Sequence, residues 1–238
     1  AEQGIASLRI DKRGVAQSAG AAVSEAELRF ETYIEDAAAW LAWLKEKDDL
    51  GPVLMMGHSE GSLIGMAAAQ KSSIVGFISL AGAGRPADEV LKTQLSAQGP
   101  QLTAITDPII DSLKAGKTVE DVNPMLASLF RPSVQPYLIS WFAYNPQEEI
   151  QALEIPVLII QGTTDIQVAV SEAEFLKAAR EDQADQTSYQ VIEGMNHILK
   201  AAPADRTANM TTYSDPDLPL VPGLVDRIVA FVEEATQP

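Results

Sequence analysis

A chain of 238 residues with 46% apolar and 21% charged residues can bury one sizeable core, which excludes a wholly disordered protein. Its formal net charge of −16 and pI near 4.4 set it against nucleic-acid phosphates and anionic lipid surfaces, so neither is expected as a partner. The lack of cysteine excludes disulfides, thiolate metal sites and a cysteine nucleophile. No apolar run is long enough to span a membrane. The visible start shows no basic-then-apolar targeting pattern, so the chain reads as soluble with its compartment left open.

Residues 5–10 (IASLRI) are short, apolar and partly β-branched, and predict a first strand. Asp11, Lys12, Arg13 and Gly14 follow as a polar loop. Ser24 and Glu27 have the spacing of a capping box ahead of a helix. In that helix Phe30, Ile34, Ala37, Leu41 and Leu44 recur at helical spacing. Gly51 and Pro52 break the chain before a second strand at 53–56 (VLMM). A small, apolar helix is predicted over 60–70, a third strand over 74–80, and a fourth over 157–160 (VLII), bounded by Pro156 and Gly162. A helix over 172–180, a fifth strand over 189–192 and a last helix over 224–235 complete the series.

Strands that alternate with helices, and read as near-continuous apolar runs, predict an α/β fold: a mainly parallel sheet with helices on both faces. Residues 83–152 do not alternate. A connection of about 70 residues between strands is far above ordinary loop length. It is expected to be an inserted helical cap, which leaves 1–82 and 153–238 as the core. The cap's Leu126, Leu129, Phe130, Tyr137, Leu138, Trp141 and Phe142 either line an acyl pocket or form the cap's own packing core, and helical spacing is the usual mark of a core. Residues 203–222, rich in Pro, Asp and Thr, read as an ordered but irregular surface loop.

Gly57, His58, Ser59, Glu60 and Gly61 fit G-x-S-x-G, preceded by an apolar strand and followed by a helical run. That context matters because the motif works as a sharp strand-to-helix turn that presents the Ser hydroxyl. The flanking glycines let strand and helix approach closely. Of the two histidines, His58 lies within this elbow, where the chain direction points it away from the Ser59 hydroxyl. His197, just after the fifth strand, is the remaining candidate base. Asp165 ends GTTD directly after the fourth strand, where a carboxylate can accept from an imidazole. It also suits an Asx turn or a helix cap. Glu193 is nearer to His197 in sequence but belongs to the strand end. The order Ser59, Asp165, His197 is that of the α/β-hydrolases. No cofactor and no metal is called for.

Four segments, GIASLRIDKRGVAQS, GHSEG, IPVLIIQGTTDIQV and VIEGMNH, resemble the bacterial serine α/β-hydrolases of the esterase and lipase superfamily, near the acyl-ester hydrolase and dipeptidyl-peptidase-like group. The resemblance implies a carboxylic ester hydrolase, with short-chain acyl esters favoured and an acyl-enzyme on Ser59. The backbone N–H of Glu60 would be one oxyanion donor. A serine peptidase or acyltransferase with the same triad, and a non-catalytic binding scaffold, are the alternatives.

The chain departs from the family at its start. In such hydrolases the strand resembling IASLRI follows a hairpin, a strand, an oxyanion loop and a helix, and Ala1, Glu2, Gln3 and Gly4 resemble the tail of that helix. The chain is therefore expected to begin mid-fold, without the strand between IASLRI and VLMM and without one oxyanion donor. Unpaired central-strand groups cost about 1–3 kcal/mol each when buried. Residues 5–10 are thus expected to pair directly with 53–56, or to be bridged by a second copy in a homodimer or by a missing N-terminal segment.

Overall fold

A computed structural model describes residues 3–21 and 24–237. The chain divides into two compact units, Ala1–Asp36 with Ala87–Tyr144, and Ala37–Pro86 with Asn145–Pro238. The division falls inside the first α-helix, α1 (Phe30–Lys45).

The second unit holds a four-stranded, all-parallel sheet in the order β1 (Leu54–His58), β2 (Gly76–Leu80), β3 (Val157–Gly162), β4 (Thr187–Ile192). The register runs from Leu54 opposite Gly76 to His58 opposite Leu80, and from Val157 opposite Thr187 to Gly162 opposite Ile192. β2 and β3 are buried along their whole length, which is why GFISL and VLIIQG carry apolar residues at successive positions. Helix α2 (Glu60–Ala69) packs on β1 and β2, with Gly65 against the Phe77 ring. Neighbouring residues of a strand face opposite ways. Ile78 and Leu80 accordingly join Leu158, Ile160 and Ile192 on the other face, in a cluster with Leu224 and Phe231 of the C-terminal helix Leu224–Ala235. Helices therefore cover both faces of the sheet.

The first unit is helical, with α3 (Ala87–Ser96), α4 (Pro100–Lys114), α5 (Ala127–Phe130) and α6 (Gln135–Trp141). Phe30 is its aromatic hub, with ring centres 6.0 Å from Trp141 and 5.0 Å from Tyr144. Leu126, Phe130, Tyr137, Leu138 and Phe142 are buried, so these residues form a packing core of the unit. Arg13 of the polar loop pairs with Asp36 through Nε to Oδ2 at 3.0 Å and through a second nitrogen to Oδ1 at 2.5 Å.

Three local expectations are corrected. Residues 5–10 form no strand and pair with nothing in the sheet, which ends at β1. The segment has no regular structure and is mostly exposed, with Leu8 and Ile10 each 43% accessible, so its backbone groups are open to water. The cost assumed for a buried, unpaired strand does not arise there. Second, Ser24 bonds Glu27 side chain to side chain at 2.8 Å and makes no cap to the backbone. Only a 3₁₀ turn (Glu25–Glu27) follows it, and α1 starts at Phe30. Third, residues 203–222 contain a short helix, Arg206–Thr211, with a buried Asn209. Of the predicted helix tail at the start, Ala1 and Glu2 lie outside the described residues, while Gln3 and Gly4 form a turn and bend. Among the described residues no helix is long and apolar enough to cross a membrane.

Candidate active site

Ser59 sits at the junction of β1 and α2 with φ 55° and ψ −125°, a left-handed conformation that a residue with a Cβ adopts only under strain. Two features hold it there. Its N–H donates to the Leu80 carbonyl at the end of β2 at 2.9 Å. Gly57 lets the helix start press against the strand, since a Cβ on it would lie 2.2 Å from the Gly61 oxygen. Gly61 itself meets no such crowding. The demand for glycine thus falls on the strand side of the elbow. Glu60 is the first residue of α2, which puts its N–H at the open end of the helix beside Ser59.

His197 follows β4 in a tight loop and is 5% exposed. Its Nε2 lies 3.0 Å from Ser59 Oγ, and its Nδ1 lies 2.8 Å from Asp165 Oδ2. An ionised carboxylate only accepts, so Nδ1 carries the proton and Nε2 is left to accept from the Ser59 hydroxyl. Asp165 serves two purposes at once. Its Oδ1 accepts from the N–H of Gln167 at 2.8 Å and of Val168 at 2.9 Å, which closes an Asx-type turn. Its Oδ2 accepts from His197 and from Gln161 Nε2 at 3.0 Å. Burial by itself pushes the Asp165 carboxyl up. The hydrogen bond and charge of His197, with the Val168 and Gln167 donors, outweigh it and leave the group below its ordinary value. Glu193 is exposed, and the carboxylate on His197 is that of Asp165.

The two loops that carry Asp165 and His197 are zipped together. A Cβ on Gly162 would lie 1.9 Å from the Met195 oxygen, so only glycine admits this approach. Thr163 N donates to Ile192 O and Thr164 N to Met195 O, both at 3.1 Å. Behind them, buried Asn209 donates through Nδ2 to Thr164 O at 2.8 Å and to Pro203 O at 2.9 Å. Buried Asn196 donates to Thr212 Oγ1 at 2.8 Å and accepts from Lys200 N at 3.0 Å. Each asparagine thereby fixes the backbone next to a candidate catalytic residue.

Sequence reasoning missed three residues here. Gln161 was visible as a lone polar residue in an apolar strand. Asn209 carried no local signal, because its role depends on a fold that returns it to the Thr164 carbonyl. His58 places its Nε2 2.7 Å from the His197 carbonyl oxygen, a partner that the elbow motif does not name. Among the described residues no cluster of three or more His, Cys, Asp or Glu side chains is placed to hold a metal.

A family model described as serine aminopeptidase, S33, matches residues 1–131. The chain is 28% identical over 179 residues to the esterase EstD of Thermotoga maritima, a match that covers 70% of this chain and 40% of that protein's length. The structure is similar to Est1E of Butyrivibrio proteoclasticus with ferulic acid bound, at a TM-score of 0.53 and 15% identity, over 88% of this chain and 70% of that one. It is also similar to a thermophilic esterase of Thermogutta terrifontis with malate bound, at a TM-score of 0.50 and 14% identity, over 88% and 74% of the two chains. At these identities the two structures speak for the fold, an α/β-hydrolase one.

Proposed function

The chain belongs to the serine aminopeptidase S33 family, and we propose that it is a serine hydrolase that cleaves carboxylic esters, short-chain acyl esters foremost, through an acyl-enzyme on Ser59. The observation that carries this reading is the continuous hydrogen-bonded line from Ser59 Oγ through His197 to Asp165 Oδ2, three side chains brought by three different strand ends. EstD, named an esterase, supports the ester as the substrate class.

The steps follow from the geometry. His197 Nε2 takes the Ser59 proton as Oγ attacks the ester carbonyl. Asp165 holds the imidazole in the required tautomer and stabilises the imidazolium that forms. The Glu60 N–H, at the start of α2, donates to the oxyanion, where one such donor is worth roughly 3–4 kcal/mol. His197 then protonates the leaving alcohol, and water attacks the acyl-Ser59 ester by the same route.

Hydrolysis of 4-nitrophenyl acetate and butyrate by wild type and Ser59→Ala, with a circular-dichroism melt of both, tests the reading. Ser59→Ala should lose several orders of magnitude in kcat while it melts like wild type. Wild-type-like turnover by that variant would sink the mechanism. The family description favours a second reading, an aminopeptidase using the same three residues. Aminoacyl 4-nitroanilides run beside the esters separate the two: faster release from the anilides would move the substrate class to peptides.

A further inference from the structure

His58 enters the site as a residue of the elbow, yet its ring makes a hydrogen bond to the base loop beside the Ser59–His197 bond itself. Its Nε2 lies 2.7 Å from the His197 carbonyl oxygen, and its ring centre lies 4.9 Å from that of His197. A carbonyl oxygen can only accept, so Nε2–H of His58 is the donor. We propose that His58 is a positioning residue that clamps the backbone of His197 to the elbow, and so sets the distance from His197 Nε2 to Ser59 Oγ independently of the hydrogen bond between them. This inference rests on the hydrolase reading above.

Three points of chemistry support the clamp. Ser59 and its base are 138 residues apart. They reach each other from β1, at the sheet edge, and from the loop after β4, at the other end. The buried cross-ties described above join the base loop to the acid loop, and none of them reaches the elbow. His58 does so from the position adjacent to the nucleophile, so a shift of the base loop relative to Ser59 has to stretch a 2.7 Å hydrogen bond. A misplacement of about 1 Å in such a site can cost about 100-fold in rate.

The charge state is also suited to the task. His58 is exposed as a residue, yet the burial its ring does experience lowers its proton affinity. The titratable groups that act on it are His197, which disfavours a second positive charge, and Asp165, which favours one. The lowered affinity favours the uncharged ring. It can then donate to the carbonyl without opposing the imidazolium that His197 becomes during attack.

Glutamine places an amide nitrogen where Nε2 of histidine lies, whereas asparagine places one where Nδ1 lies. The test therefore compares His58→Gln, His58→Asn and His58→Phe with wild type and Ser59→Ala. The measurements are the rate of covalent labelling by a fluorophosphonate, kcat and KM on 4-nitrophenyl acetate, and the melting temperature. His58→Gln should label within about five-fold of wild type. His58→Asn and His58→Phe should fall about 10- to 100-fold in labelling rate and kcat, with KM and melting temperature little changed. Equal rates for all three His58 variants, with Ser59→Ala unlabelled, would overturn the clamp and leave the hydrolase reading standing. So would losses that track melting temperature instead of the presence of the Nε2-like donor; should His58→Phe not fold, the Gln and Asn pair decides alone. Labelling of Ser59→Ala at the wild-type rate would overturn the nucleophile reading, and the clamp with it.

Discussion

At one end of the sheet β3 is buried along its whole length beside β4, and the loops leaving both strands are tied by backbone hydrogen bonds, by the Gly162–Met195 contact and by Asn196 and Asn209. At the other end β1 has no partner on its outer side among the described residues, leaves Met56 54% exposed, and still carries Ser59. The Asp165–His197 half of the candidate site is thus set by packing and by satisfied buried polar groups. The Ser59 half is set by one strained turn and a few bonds. Buried polar networks are costly to disturb because each orphaned group loses its partner in a low dielectric. Substitutions at the β3–β4 end should therefore cost far more than equally drastic ones at the β1 edge.

The largest effect is expected for Asp165→Asn. The amide can donate as well as accept, so His197 is no longer held in one tautomer, and kcat on 4-nitrophenyl acetate should fall about 10⁴-fold. Exposed Glu193→Gln, assayed beside it, should stay within two-fold or about that; equal losses in the two would move the acid to Glu193. The same carboxylate carries a pH signature in stability. Its folded pKa is lowered, so the stability it adds is present above the ordinary carboxylate range near 3.9 and is lost as pH falls through the lowered folded value. Wild type should therefore converge on Asp165→Asn in melting temperature as the pH is taken below about 4. A gap that stays constant down to pH 2 would contradict the lowered pKa.

Gly162→Ala comes next. Its methyl group would fall on the Met195 carbonyl, and the loops must part to admit it, at about 3 kcal/mol in chemical denaturation. Arg180→Met follows at about 2–3 kcal/mol. The Arg180 guanidinium, 1% exposed, donates to the carbonyls of Ile150, Leu153 and Ile155 and to Thr187 Oγ1. Burial pulls its pKa to about 10, so it stays charged at neutral pH and serves as a multiple donor. Methionine fills the space and takes the Arg180 donor from the Leu153 and Ile155 carbonyls, while the Ile150 carbonyl still accepts from Leu153 N at 3.3 Å. At the far edge, Met56→Thr should move stability by no more than about 0.5 kcal/mol. A loss at Met56 as large as that at Gly162 would remove the distinction between the two ends.

How far this was legible in the sequence depended on whether a signal was local. The elbow, β2, β3, β4 and the C-terminal helix were readable because apolar runs bounded by Gly and Pro state their own structure. Ser59, His197 and Asp165 stood out because each lies at or within a few residues after the end of a strand, and a parallel sheet gathers such positions at one edge. Residues 5–10 misled for the converse reason. IASLRI has the composition of a strand, but a strand exists only through its neighbour, and nothing in those six residues says whether a neighbour is there. Asn209 and Gln161 act through partners fixed by tertiary contact, which propensity does not encode. The contact of His58 with His197 was not legible, since direction along the chain says where a side chain leaves and not what it meets.

The φ of 55° at Ser59 has a consequence for how such a chain drifts over generations. Strain of this kind costs on the order of 1–3 kcal/mol, and glycine relieves it because it has no Cβ. Ser59→Gly should therefore yield an inert protein that is more resistant to heat and denaturant than its parent. Any lineage released from selection for turnover has a downhill route open at this codon.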